Sequence, residues 1–101
     1  MESYKILVIR FSSIGDIVLT TPIVRALKQQ LKNVEIHYLT KKTNYSLLQN
    51  NKYIDKIHLL EDADLLKKLR SNKFDYIVDL HNNLRTLKIK AMLGVKSKAF
   101  P

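Results

Sequence analysis

Two short stretches of the chain carry residue types able to bind and activate a hydroxyl-bearing substrate. The first is Ser12-Ser13-Ile14-Gly15-Asp16, two hydroxyls and a carboxylate around a glycine. A carboxylate held against a bound hydroxyl can take its proton late in the transition state, which makes Asp16 a candidate general base. Ser12 and Ser13 can donate and accept hydrogen bonds, and Gly15, lacking a side chain, lets a ligand approach the backbone. The same residues suit a plainer task, with Ser13 or Asp16 capping the helix that follows. The two uses pull against each other, because a carboxylate at a helix N-terminus is stabilised as the anion and becomes a weaker base.

The second stretch is Asp79-Leu80-His81-Asn82-Asn83-Leu84-Arg85-Thr86. Amides at Asn82 and Asn83 with the guanidinium of Arg85 suit a hydroxyl-rich or phosphorylated ligand, since Arg can grip a phosphate through two parallel hydrogen bonds. Here too a structural use is open: Asn82 or Asn83 as a helix cap, His81 in a backbone hydrogen bond, Arg85 as a solvated charge. His37 and His58 stand inside strand-like runs with no Glu or Cys at ligand spacing, so no metal site is expected. Only two glycines are present, and neither a G-x-G-x-x-G fingerprint nor a Walker loop occurs, which disfavours a dinucleotide or ATP site.

The elements that must hold these groups alternate. Residues 4–10 form a near-continuous aliphatic run, the pattern of a strand buried on both faces of a parallel sheet. From Asp16 the period becomes helical: Leu19, Ile23, Ala26, Leu27 and Leu31 share a stripe, with Arg25, Lys28, Gln29 and Lys32 opposite, and Pro22 is expected to kink the helix. Strands follow at 34–40, 53–60 and 74–80. Thr43 or Asn44 is placed to cap a short helix through Leu47, Leu48 and Gln49. Glu61, Asp62 and Asp64 are read as the acidic first turn of a helix carrying Leu65, Leu66 and Leu69. The last helix spans 82–93 with Gly94 as its stop, and residues 95–100 begin a fifth strand. Four strand–helix alternations without a hairpin signal predict a doubly wound, mostly parallel α/β sheet. Ligands of such sheets bind beyond the carboxyl ends of the strands, so loops 11–16, 40–43 and 81–85 are expected to converge.

With 101 residues, 46% hydrophobic and 27% charged, the chain has room for one globular domain. Cysteine is absent, which excludes disulfides and thiolate chemistry. No apolar run approaches the ~18 residues of a membrane-spanning helix, and the first residues lack a signal-peptide pattern, so a cytoplasmic protein is expected. Eighteen Lys and Arg against nine Asp and Glu give a formal charge of +9, which suits a polyanionic partner. After Asp79 come Arg85, Lys88, Lys90, Lys96 and Lys98 with no acid. Aromatics are not interleaved with this basic group, which argues against a single-stranded nucleic-acid platform.

Residues 5–22, with their strand, S-S-x-G-D turn and T-x-P spacing, closely resemble the opening of the lipopolysaccharide heptosyltransferases, glycosyltransferase family 9. Residues 76–86 resemble the family's second N-domain motif, a strand ending D-L-(Q/H) and running on to a basic residue; His81 stands where Gln is commoner. The resemblance covers essentially the whole chain. It implies a Rossmann-like N-terminal half of a GT-B fold, with 1–101 the acceptor-side domain, incomplete, and the C-terminal donor domain absent. It further implies inverting transfer without a metal or resident cofactor, from a nucleotide-sugar such as ADP-heptose to the lipopolysaccharide core. Asp16 would be the base, with Ser12, Ser13 and Gly15 forming its loop and His81, Asn82, Asn83 and Arg85 facing the acceptor. The acceptor's lipid makes an anionic membrane surface, the inner face of the inner membrane, a further expected partner. Nothing in the sequence specifies an oligomer, and no nucleic acid is expected as a partner. The rival reading is a stand-alone flavodoxin-like or nucleic-acid-binding module.

Overall fold

Leu7, Val8 and Ile9 are wholly inaccessible to solvent in the computed structural model, which describes residues 4–94 and 97–99. Burial on both faces is what a central parallel strand requires, and these residues form β1 (Tyr4–Ile9). With β2 (Val34–Thr40), β3 (Lys56–Leu59), β4 (Tyr76–Asp79) and β5 (Ser97–Ala99) it makes one sheet in the order β3-β2-β1-β4-β5. Every neighbouring pair is parallel. The expected class is therefore the one adopted; of the expected fifth strand, Val95, Lys96 and Phe100 lie outside the described residues.

Alternate residues of β1 serve two cores. Ile6 and Val8 pack with Ile17 and Val24 of α1 (Ile14–Gln30), with Ile36 and Tyr38 of β2, and with Leu48 of α2 (Tyr45–Leu48). Leu7 and Ile9 pack on the other side with Leu65 and Leu69 of α3 (Leu65–Asn72), Ile77 of β4 and Ile89 of α4 (Leu84–Leu93). The chain winds from β1 to β2 to β3, then crosses to the far side of β1 to lay down β4. The crevice between the carboxyl ends of β1 and β4 is thus the topological switch point, where sheets of this kind bind ligands.

Several local expectations are corrected. Helix α1 starts at Ile14 rather than Asp16, and its buried residues are Ile17, Thr20 and Val24; Leu19 is 72% exposed and Ile23 partly so. Thr20 is admitted to the core because its hydroxyl is bonded to the Ile17 carbonyl and to the Tyr38 hydroxyl, 2.7 and 2.6 Å away. The helix runs through Pro22 without a break. The Val18 carbonyl, which Pro22 has no N–H to reach, accepts from the Thr21 hydroxyl at 2.7 Å.

Strand β3 is shorter than expected because residues 51–54 turn, with Tyr53 N–H on Asn51 Oδ1, and the strand begins only at Lys56. Strand β4 is likewise confined to Tyr76–Asp79. The carboxylates before α3 are not in its first turn. Asp64 is the N-cap residue, Asp62 pairs with Lys68 at 2.6 Å, and Glu61 accepts the Lys42 N–H. Asn44 makes no cap bond, since its amide is used elsewhere. Helix α4 begins at Leu84 rather than Asn82, and Gly94 ends it in the left-handed conformation, φ 63°, as its position predicts. Among the described residues no helix is long and apolar enough to cross a membrane.

Candidate functional site

The loop after β1 folds back on the loop after β4 at the switch point. Arg10, the residue following β1, donates from Nη1 to the Leu80 carbonyl at 2.7 Å and places Nη2 2.9 Å from Asp16 Oδ2. Ser13 is the N-cap residue of α1 and Asp16 its third helical residue, so the carboxylate reaches back to the cap. Asp16 Oδ2 accepts from the Ser13 hydroxyl at 2.8 Å and from the Ser13 N–H at 3.3 Å. Three donors therefore crowd one carboxylate oxygen. Oδ1 has no partner among the described residues. The Ser13 hydroxyl first, then its N–H and then Arg10, holds Asp16 below the ordinary carboxylate range. At neutral pH the group is an anion with one oxygen spoken for and the other open to a ligand.

His81 closes the crevice from the β4 side. Its ring lies on Phe11, centroids 4.7 Å apart, and its Nδ1 accepts the Phe11 N–H at 3.4 Å. Burial, and then the charge of Arg10, lowers its pKa, so the imidazole is neutral with its proton on Nε2. His81 is in this way a hydrogen-bond donor, the role that an amide would fill.

The support for this arrangement comes from residues to which the sequence assigns no such part. Asp79 is fully buried; its Oδ1 accepts the N–H groups of His81 and Asn82 at 3.0 and 2.7 Å, and Lys90 Nζ lies 3.0 Å from its Oδ2. Burial works to raise the Asp79 pKa, and the Asn82 N–H, then the Thr86 hydroxyl, Lys90 and the His81 N–H outweigh it, leaving the group ionised. The Asn82 turn adopts positive φ, 53°, which Asn tolerates. Asn44, also buried, donates to the Phe11 carbonyl at 2.7 Å and so fixes the start of the first loop from the β2 side. Arg10 was legible only as the strand's end. The signal available was its position, one residue past a buried strand and six before Asp16.

The structure brings Ser13, Asp16 and His81 together through Arg10 and Phe11, with Ser12 and Gly15 in the same loop. A Cβ on Gly15 would meet nothing within 4 Å, so open space stands over the first turn of α1. Asn83 is committed to capping α4, exchanging bonds with Thr86 at 2.8 and 3.0 Å. Arg85 is not drawn into the Asp16 group. It lies exposed on α4 along a shallow apolar groove with Leu84, Leu87, Lys88 and Ala91. His37 and His58 meet across β2 and β3, Nδ1 to Nε2 2.8 Å, under Phe74 and with Glu35 3.3 Å from His37 Nε2. Among the described residues no cluster of three His, Cys, Asp or Glu side chains able to hold a metal occurs.

An all-parallel 3-2-1-4-5 sheet with a half-free carboxylate at its switch point defines a Rossmann-like domain, a class whose ligands bind beyond the strand ends. Its particular kin are consistent with one another. The chain is 26% identical over 104 residues, 95% of its length, to lipopolysaccharide heptosyltransferase 1 of Campylobacter coli, and covers 30% of that protein. In fold it is similar to a crystal structure of glycosyl transferase family 9 from Veillonella parvula, with a TM-score of 0.85 and 20% identity over 98% of this chain and 33% of that one. It also matches the E. coli ADP-heptose LPS heptosyltransferase II, TM-score 0.83 at 21% identity, over 94% of this chain and 30% of that one. No protein-family model matches. The chain spans about a third of the length of these relatives.

Proposed function

We propose that the chain is the acceptor-side part, the N-terminal half of a GT-B fold, of an inverting glycosyltransferase that moves heptose from ADP-heptose to the lipopolysaccharide inner core. The observation that carries this reading is the Asp16 carboxylate, held on Oδ2 and open on Oδ1 at the switch point of a sheet that superimposes on family 9 structures over nearly its whole length. Asp16 Oδ1 takes the proton of an acceptor hydroxyl while that oxygen forms its bond to the anomeric carbon. The carbon–oxygen bond to the diphosphate breaks with its electron pair leaving on ADP, through an oxocarbenium-like transition state. His81 Nε2–H and the amide of Asn82 orient the acceptor, Ser12 and the open surface over Gly15 receive the sugar, and Arg85 pairs with an anionic group of the acceptor further out. The nucleotide-sugar is a substrate, and the reading includes no resident cofactor.

Exposed Leu84 and Leu87 flanked by Arg85 and Lys88 support work against an anionic lipid surface, the cytoplasmic face of the inner membrane. The test is acceptor-dependent release of ADP from ADP-heptose by the full-length protein, with wild type active and Asp16→Asn slow. Nucleotide release that ignores the lipopolysaccharide acceptor, or no release at all, overturns the assignment.

A further inference from the structure

Arg10 joins the two loops of the crevice. Its guanidinium spans two fixed points, the Leu80 carbonyl on the β4 side and Asp16 Oδ2 on the α1 side, while its Nε is buried with no partner among the described residues. An unpaired buried donor costs stability. What the residue secures in return is the attitude of one carboxylate. Asp16 sits on the first turn of α1, where rotation about its side-chain bonds would re-aim the carboxylate. With the Ser13 hydroxyl, the Ser13 N–H and Arg10 Nη2 all on one oxygen, Oδ2, turning the group away from this attitude breaks three bonds at once.

We propose that Arg10 is a positioning residue that, with Ser13, locks the rotation of the Asp16 carboxylate so that Oδ1 is the oxygen presented to the acceptor hydroxyl. The proposal rests on Asp16 being the base and adds how that base is aimed. Arg10 touches no substrate in it. A lysine keeps the charge but cannot bridge two points with one planar fork, so charge and aim are separable.

The experiment is steady-state kinetics of the full-length enzyme with ADP-heptose and a soluble acceptor across pH. Arg10→Lys is expected to lower kcat by about 10²-fold, the effect of misplacing a reacting group by about an ångström, with acceptor KM nearly unchanged. Arg10→Gln should lower kcat similarly and, having lost the cation, move the acid limb of the pH–rate profile to higher pH. Arg10→Lys should leave that limb near its wild-type position. Added to Asp16→Asn, Arg10→Gln should cost little more, because two residues acting as one unit are not additive. If Arg10→Gln does not fold, Ser13→Ala removes another Oδ2 donor and should repeat the loss of kcat at constant KM.

Unimpaired turnover in both Arg10→Lys and Ser13→Ala overturns the proposal, as does a full multiplicative loss in the double variant. Normal turnover of Asp16→Asn is a different failure, and it removes the base assignment on which the proposal stands.

Discussion

Asp16 and Asp79 stand on opposite sides of the same crevice, one on the first turn of α1 and the other at the end of β4, and both accept from backbone N–H. Asp79 has no exposed surface, and both its oxygens are engaged, Oδ1 by two N–H groups and Oδ2 by the Lys90 ammonium. Asp16 is half-buried, and only Oδ2 is engaged. One carboxylate is thus fully used as a fastening, and the other keeps an oxygen free. The difference lies in spare acceptor capacity that a ligand can reach.

Removing the negative charge from each separates the two. In the proposed transferase Asp16→Asn is expected to slow turnover by about 10²–10⁴-fold while shifting stability by about 1 kcal/mol or less, because the amide still caps. Steady-state rates and urea unfolding of the same variant check both halves of the statement. Asp79→Ala should do the reverse: it strands the Lys90 ammonium in a buried site and is expected to cost about 3–5 kcal/mol in urea unfolding. A stable Asp79→Ala protein would break the comparison.

Acid titration sharpens it. Burial first, and for His58 the charge of His37 next, lowers both imidazole pKa values, His58 to about 4, so the folded state prefers them neutral. Their contribution is complete above the unfolded value of about 6.5 and is lost as pH falls from there toward the folded values. Thermal melts from pH 7 to 4.5 should show a decline on the order of 2 kcal/mol, reduced in His58→Gln. Both carboxylates have depressed values, so what they add is present above pH 3.8 and is lost only below it, well separated from the histidine step. The smallest effect is Gly15→Ala. With open space around its Cβ and a better helix former in place, stability should rise by about 0.5–1 kcal/mol, while acceptor KM rises because the methyl occupies the space over the loop.

Fold class, strand order of appearance and the convergence of three loops follow from the alternating pattern, since buried parallel strands declare themselves as continuous aliphatic runs. The face of α1 did not follow. A stripe drawn through Leu19 and Ile23 is as apolar as the buried one through Ile17, Thr20 and Val24, and hydrophobicity cannot foresee that Tyr38 offers Thr20 a partner. Asp16 and Ser13 were legible both as a cap and as a site, and they are joined as a cap. The roles of Arg10 and Asn44 were hidden because each acts across a long sequence separation, Arg10 on Leu80 and Asn44 on Phe11. Arg85 looked equal to His81 on chemistry alone, and only the position of α4 sets them apart.

The two loops of the site hang from backbone atoms of the two central strands. The Leu80 N–H is bonded to the Ile9 carbonyl, and the Arg10 N–H to that of Leu39, so the ladder extends past the strand ends into the crevice. Functional loops generally belong to the least stable cooperative units, opening long before the domain does. These do not. In hydrogen–deuterium exchange the amides of Arg10 and Leu80 should be protected like those of Val8 and Ile77, and the crevice should open only when β1 parts from its neighbours. The floor of the crevice is therefore set in place by the sheet itself, before anything binds there.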